Sequence, residues 1–389
     1  MRKGWEYKKL GEVCCPKSKI QRATKCFGGS DEILYIDISS IDNSVQEVNS
    51  ITSFTMSNAP SRAQQKVEYG DIIVSTVRPN LKNVAFIKQH DSNLVASSGF
   101  CVLRTTDDIE RNYLFRYITS DIFTQHLMKL TTGANYPAVR DLDVRDSTIP
   151  LPPKSTQLAI VSELDKINEL IRLKKEQLKD FDNLAQSIFY EMFGDPVENE
   201  MGWEVKKLKE IATEKLSYGS GASAVPFNTS VRYIRITDIN EYGELKDEKV
   251  SPNIFEEKYL LAEGDILFAR SGATVGKTYL HKRNEIPCIY AGYLIRLRPN
   301  EKLVLPNYVY YYTKSNYYKS FICANQRVVA QPNINAKQYG DLELPLPPLP
   351  LQHLFAHRID QIEHQKAEVQ KAITDLETLL ASRMQYWFE

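Results

Sequence analysis

The chain has six cysteines and no CxxC pair among them. That spacing supports neither a zinc ribbon nor a disulfide framework, so Cys14, Cys15, Cys26, Cys101, Cys288 and Cys323 read as reduced thiols. No run of eighteen apolar residues occurs, and the opening MRKGWEYKKL lacks the apolar stretch of a secretory signal. A cytoplasmic protein without a membrane partner is expected. Catalytic signatures are equally scarce: there is no Pro-Asp dipeptide, no Asp/Asn-Pro-Pro-aromatic motif and no GxSxG. SGATVGKT (271–278) approaches a phosphate-cradling loop, but Gly272 and Gly276 have three residues between them where four are needed, and Ser271 stands where the first glycine belongs. His353 and His357 have a zinc-chelating helical spacing, yet the intervening LFA lacks the glutamate of a metalloprotease helix. No metal, cofactor or catalytic group is therefore expected in this chain. An excess of one charge is missing too. Lys and Arg number 49, as do Asp and Glu, which argues against indiscriminate capture of nucleic acid and leaves the local distribution to decide.

What the chain does have is repetition. PLPPKSTQLAIVSELDKINELI (150–171) is echoed from Pro345 onward by PLPPLPLQHLFAHRIDQIEHQK. Gly4-Trp5-Glu6-Tyr7-Lys8-Lys9-Leu10 returns as Gly202-Trp203-Glu204-Val205-Lys206-Lys207-Leu208. YIDISSID (35–42) returns as YIRITDIN (233–240), and Gly70-Asp71-Ile72-Ile73 as Gly264-Asp265-Ile266-Leu267. The order is kept and the shift drifts by only a few residues, so this is a tandem duplication with small loop changes. At 389 residues, with 42% hydrophobic and 25% charged residues, the chain can build two to three globular domains.

Each copy ends in a long helix with an apolar seam. Steps of three and four from Gln157 give Ile160, Leu164, Ile167, Ile171, Lys174, Leu178, Phe181, Ala185, Ile188 and Met192. The second copy gives Gln352, Phe355, Ile359, Ile362, Lys366, Val369, Ile373, Leu376, Leu380, Arg383 and Trp387. A period of 3.5 over five heptads predicts coiled-coil pairing. A helix of about 36 residues spans roughly 54 Å. The prolines at 150–153 and 345–350 should end the globular segments and set where each rod begins, and Gly194-Asp195-Pro196 should stop the first rod. An antiparallel pair of rods related by a pseudo-twofold is expected. The boundaries are 1–150 for the first globular domain, 151–194 for the first rod, 195–348 for a linker and the second globular domain, and 349–389 for the second rod. Within the globular segments, ILYID, DIIVSTV, VAFI and FCVLR, and later VRYIRI, DILFA, KTYL and YLIRLR, read as short strands. Helices are expected around Asn112–Leu130 and Asn307–Ala324, which makes the fold α+β, two mixed α/β domains in tandem.

Acidic residues are unevenly spread. Residues 72–90 contain Arg78, Lys82 and Lys88 but no carboxylate, and 266–284 contain Arg270, Lys277, Lys282 and Arg283 but none either. A second acid-free stretch, 122–140, carries Lys129 and Arg140, and its counterpart 302–340 carries Lys314, Lys319, Arg327 and Lys337 with eight aromatic residues. Basic loops beside amides suit double-stranded DNA, because Lys and Arg neutralise phosphates while Arg, Asn and Gln read base edges. Arg78, Lys82, Arg140, Arg270, Lys277 and Arg327 are the candidates for DNA contact, with Asn135, Tyr136 and Gln326 as candidate base readers. For any one of them the simpler alternative is a solvated face over core tyrosines.

Taken together, the openings GWEYKKLGEV and GWEVKKLKEI, the Gly-Asp-Ile strands, the PLPP-to-helix junctions and the joining stretch FGDPVENEMGW make the chain resemble the specificity subunit of type I restriction–modification systems. The resemblance covers essentially the whole chain. It implies two target-recognition domains, each reading one half of a split asymmetric DNA sequence, and paired helices that act as a ruler and as a dock for two methyltransferase subunits. S-adenosylmethionine would bind to those partners, and restriction subunits would add ATP- and Mg-dependent cleavage. Two other readings stay open: a coiled-coil scaffold that never touches DNA, and a methyltransferase or nuclease acting by itself.

Overall fold

The structure is a computed structural model that describes residues 4–132, 137–326 and 333–389. It divides into two compact units, residues 1–174 with 372–389, and residues 175–371.

In the first unit, Glu6–Lys9 pairs antiparallel with Thr148–Leu151, placing Tyr7 opposite Pro150. A proline is tolerated there because this two-stranded ribbon has no further neighbour requiring its N–H. Three strands, Phe100–Leu103, Ile72–Ser75 and Val84–Phe86, form an antiparallel sheet in that spatial order. Four more, Thr52–Thr55, Glu32–Ile36, Leu94–Ser97 and Ala63–Lys66, form a mixed sheet whose two central strands are parallel. All four residues of Ile72–Ser75 are buried, because this strand is covered on both faces. The helix expected around 112–130 is two helices, Arg111–Ile118 and Asp121–Leu130. The break is a capping event: Ser120 Oγ accepts from Phe123 N at 3.2 Å and starts the second helix.

The second unit repeats this plan. Glu204–Lys207 pairs with Glu343–Leu346, with Val205 opposite Pro345. Ser217–Tyr218, Leu294–Leu297, Ile266–Ala269 and Thr278–Leu280 form an antiparallel sheet, and Arg232–Ile234 runs parallel to Cys288–Tyr290. The helix expected at 307–324 is again split, into Pro306–Tyr312 and Asn316–Gln326, with Ser315 Oγ accepting from Tyr318 N at 3.3 Å. Fold class and duplication are therefore as the sequence implies.

The repeated sequence blocks turn out to be joints. Gly70 and Gly264 have φ of +92° and +86°, a conformation that side chains resist, and each precedes a buried aspartate. Asp71 receives both Nε and Nη2 of Arg104 at 2.8 and 2.7 Å, while Asp265 receives those of Arg298 at 2.8 Å each. Tyr113 donates its hydroxyl to Pro150 O at 2.7 Å, and Tyr308 does the same to Pro345 O at 2.6 Å. Each opening tryptophan docks on the end of a long helix. Trp5 stacks on Trp387 with centroids 6.3 Å apart, and Trp203 donates Nε1–H to Phe193 O at 3.2 Å.

The long helices run Lys154–Phe193 and Leu349–Phe388. In the first unit, Ile160, Val161 and Leu164 share a core with Phe388, Leu380, Met384 and Trp387. In the second, Ala185, Phe189 and Phe193 share one with Phe355, Ile359 and Ile362. The start of one helix thus meets the end of the other in each unit, which makes the pair antiparallel. Ile160, Leu164, Ile167, Ile171, Phe355, Ile359, Ile362, Val369 and Ile373 are buried, while Leu178, Phe181, Ile188, Leu376 and Leu380 are half-buried. Gln157 and Gln352, which interrupt the apolar pattern, are buried as well. Gln352 donates to Pro347 O at 2.7 Å and accepts from Leu305 N at 2.8 Å; Gln157 donates to Pro152 O at 2.8 Å and accepts from Glu110 N at 2.7 Å.

Candidate nucleic-acid interface

In each unit the two acid-free stretches, far apart in sequence, converge on one cluster of loops. In the first unit, Ala138 bridges both Val77 and Thr132, Val139 N donates to Thr76 O at 2.9 Å, and Arg78 N donates to Pro137 O at 2.7 Å. In the second, Ser271 bridges Asn333 and Ile334 N donates to Arg270 O at 2.9 Å. A sheet strand (Ile72–Ser75, Ile266–Ala269) delivers the first stretch to this place, and the short helices Asp121–Leu130 and Asn316–Gln326 deliver the second.

The first loop is held in an unusual backbone shape. Arg78 and Lys82, either side of Pro79-Asn80-Leu81, both have φ of +50°, a left-handed conformation that costs about 1–2 kcal/mol for a residue with a Cβ. Pro79 pre-sets the turn between them, and Asn43 Nδ2 donates to Leu81 O at 2.9 Å. Arg78 is exposed, whereas Lys82 Nζ lies 2.6 Å from Asp121 Oδ1.

The second loop is anchored through Arg270. Its N donates to Tyr293 O at 3.1 Å and its Nε to Asn333 Oδ1 at 3.2 Å. Its guanidinium carbon lies 4.7 Å from the centre of the Tyr218 ring, and that ring is itself pinned because Ala336 N donates to Tyr218 Oη at 3.0 Å.

The comparisons with known proteins address the same two regions. The profile of the family described as "Type I restriction modification DNA specificity domain" matches residues 2–180 and again 200–378. The chain belongs to this family. It is 25% identical over 233 residues to the type I restriction enzyme MjaIX specificity subunit of Methanocaldococcus jannaschii, covering 52% of this chain and 51% of that protein. With the StySPI specificity subunit of Salmonella potsdam it shares 29% identity over 129 residues, covering 31% of this chain and 27% of that one. The matches thus span about half or less of the length of these curated relatives. A chain solved in work on complex assembly and conformational transition of the type I R-M system aligns over 100% of this chain and 98% of its own, with a TM-score of 0.65 and 27% identity. The type I restriction–modification S subunit from M. genitalium, at 15% identity and a TM-score of 0.52, shares the fold.

Within the two specificity domains, the basic residues singled out from sequence occupy different surroundings. Arg140 is exposed and its guanidinium pairs with Asp143 at 2.6 Å, which raises its pKa. Lys277 is half-buried and its Nζ lies 3.4 Å from Ile239 O. Gln326 is half-buried at the end of its helix. Asn135, Tyr136 and Arg327 lie outside the described residues. The hydrogen-bond pattern equates Arg270 with Thr76, since Thr76 N donates to Gly99 O and Val139 N to Thr76 O, matching the bonds of Arg270 to Tyr293 and Ile334. Arg78 and Arg270 are therefore not counterparts. The tyrosines of 302–340 are largely core: Tyr308, Tyr311, Tyr312 and Tyr318 are buried, and burial pushes the phenols of all four well up. Sequence reading passed over Tyr218, Tyr293 and Asn333. The first two stand outside the acid-free stretches, in SYGSG and AGYL, where composition gives no signal.

Proposed function

We propose that this chain is the DNA sequence-recognition subunit of a type I restriction–modification complex. Each specificity domain reads one half of a split, asymmetric double-stranded target. The observation that carries this is the convergence, in each unit, of two basic, carboxylate-free segments on one loop cluster. Such clusters can place charge against phosphates and side chains against base edges. The two clusters differ in their side chains, Arg78 beside Pro137 against Arg270 over Tyr218, so the half-sites should differ too.

The paired helices dock two methyltransferase subunits through their outward faces. Leu158, Leu170, Leu173 and Leu184 on the first helix and Leu354 and Leu379 on the second are all exposed, more than a solitary coiled coil requires. Restriction subunits join the full assembly. S-adenosylmethionine, ATP and Mg belong to those partners, and this chain acts without catalysing, in the cytoplasm. A long-read adenine methylome of the source organism with and without this gene tests the reading. Loss of methylation at one split motif is expected. An unchanged methylome, in a strain where this chain co-purifies with a methyltransferase, would leave a scaffold that reads no DNA.

A further inference from the structure

We propose that Arg270 is a pre-positioned guanine reader, so that the half-site recognised by the second specificity domain contains a guanine read by Arg270, with Tyr218 and Asn333 as its positioning residues. The inference rests on the DNA-recognition reading above and adds to it one residue, one base and the reason they match.

Three features of Arg270 set it apart. The first is charge. Lys82 and Arg140 are each committed to a carboxylate, Asp121 and Asp143, so a phosphate or base would have to displace an internal partner. Arg270 has no carboxylate partner among the described residues, and residues 266–284 supply none. The second is restraint. Its backbone N bonds to Tyr293 O at 3.1 Å, its backbone O accepts from Ile334 N at 2.9 Å, its Nε is held by Asn333 Oδ1 at 3.2 Å and its guanidinium lies over Tyr218 at 4.7 Å. A free arginine loses much side-chain entropy on binding, whereas one already held loses little. The third is what stays available. With Nε occupied, both terminal NH2 groups remain, and together they form a two-pronged donor.

That donor selects its base. In the major groove guanine offers two adjacent acceptors, N7 and O6, whereas adenine offers one acceptor and one donor, and the pyrimidines offer no such pair. A fork of donors therefore satisfies both of its prongs only on guanine. Tyr293, 62% exposed, stands next to the Arg270 backbone, so the cluster opens outward. Among the described residues the first domain has no equivalent device: the matching residue is Thr76, whose hydroxyl is used internally on Gly99 O at 2.9 Å. The two halves of the target should thus be read by different chemistry, and only one of them through a stacked arginine.

The test uses the whole complex, this chain co-expressed with its methyltransferase partner in a host without competing adenine methylation, read by long-read methylome. Wild type should mark one split motif with an invariant guanine in one half. Arg270→Lys keeps the charge but lacks the fork, and it should relax that guanine alone, lowering discrimination there about 10- to 100-fold while the other half-site stays intact. Tyr218→Ala and Asn333→Ala should relax the same base to a smaller degree. The intact half-site, with co-purification of the partner, reports that the variants are folded. Uniform loss of methylation at all sites in Arg270→Lys, or an unaltered motif, would overturn the assignment and leave Arg270 a phosphate contact or a bystander. If the wild-type complex marks no split motif at all, it is the DNA-recognition reading that fails instead.

Discussion

Glu163 and Arg383, 220 positions apart in sequence, form a two-point ion pair within the first unit: Arg383 Nε and Nη2 both donate to the Glu163 carboxylate, and Trp387 Nε1 donates to the same group at 3.0 Å. Arg383 interrupts the apolar seam of the second helix, and this is where its charge goes. The guanidinium also lies 5.0 Å from the Trp387 ring, so the pair is braced by the aromatic that stacks on Trp5.

The pair makes stability depend on acid. The bond from Arg383, and then that from Trp387, hold the Glu163 carboxyl below its ordinary value of 4.5. A depressed folded-state pKa means that the contribution is present above about pH 4.5 and disappears as pH falls through the lower folded value. Glu163→Gln should lower the urea midpoint of the first unit at pH 7, with the gap to wild type closing as the pH is taken below 4. High salt should narrow the gap as well, because a third of the Glu163 side chain is exposed. A gap that stays constant from pH 7 to pH 3 would show that the glutamate matters for packing and not for charge.

Gln352 gives a sharper test, because it is fully buried and its amide is used at both ends. Gln352→Leu has the right volume but strands Leu305 N–H and Pro347 C=O at the start of the second long helix. Each buried unpaired group costs about 1–3 kcal/mol, so a loss of about 2–4 kcal/mol is expected in equilibrium urea unfolding. Gln157→Leu should cost a similar amount in the first unit. A loss below about 0.5 kcal/mol in both would mean that water takes over the bonds.

These polar interruptions also mark how far the sequence could be read. The duplication, the helix pair and most strands were legible because short-range pattern dictates them: a 3.5-residue apolar period, a Gly-Asp turn, runs of β-branched residues. Gln157, Gln352, Lys366 and Arg383 looked like flaws in the seam, and their partners were invisible because those come from distant loops or the facing helix. Lys366, for instance, meets Asp182 at 2.8 Å. The parallel strands Leu94–Ser97 and Cys288–Tyr290 went unread, since parallel partners are separated by long connections. The two basic loops were found by their missing carboxylates. Their convergence with the second acid-free stretch was not, and neither were the carboxylates just beyond the two ends of 122–140, Asp121 and Asp143, that claim Lys82 and Arg140.

Lys314 should make the second unit more stable as the solution becomes alkaline. It is half-buried, 3.2 Å from Tyr242 O and 4.6 Å from the centre of the Tyr310 ring. Burial pulls its pKa from 10.5 down to about 8, with Asp182 and Glu244 opposing and Lys366 and Lys319 adding to the fall. Between about pH 8 and 10.5 the unfolded chain holds the proton and the folded one has released it, so stability rises with pH by up to about 1.4 kcal/mol per unit. Lys314→Met should remove that slope in urea titrations at pH 7.5, 8.5 and 9.5. An identical slope in the variant would place the titration elsewhere.

Arg78 lets backbone and side chain be separated. Its left-handed φ of +50° is one that glycine adopts freely, so Arg78→Gly should stabilise the first unit by about 0.5–1 kcal/mol even as it removes the guanidinium. Arg78→Ala keeps the backbone strain and loses the same group. If the side chain contacts DNA, both variants should weaken binding of the methyltransferase complex to its target about tenfold or more, although only Arg78→Gly gains stability. The salt dependence distinguishes the kind of contact. A phosphate contact lowers the slope of log K against log salt by about one and weakens all sequences alike, whereas a base contact relaxes a single position of the first half-site. Full binding by Arg78→Ala would remove this residue from the interface and leave its loop with the role of holding Pro137.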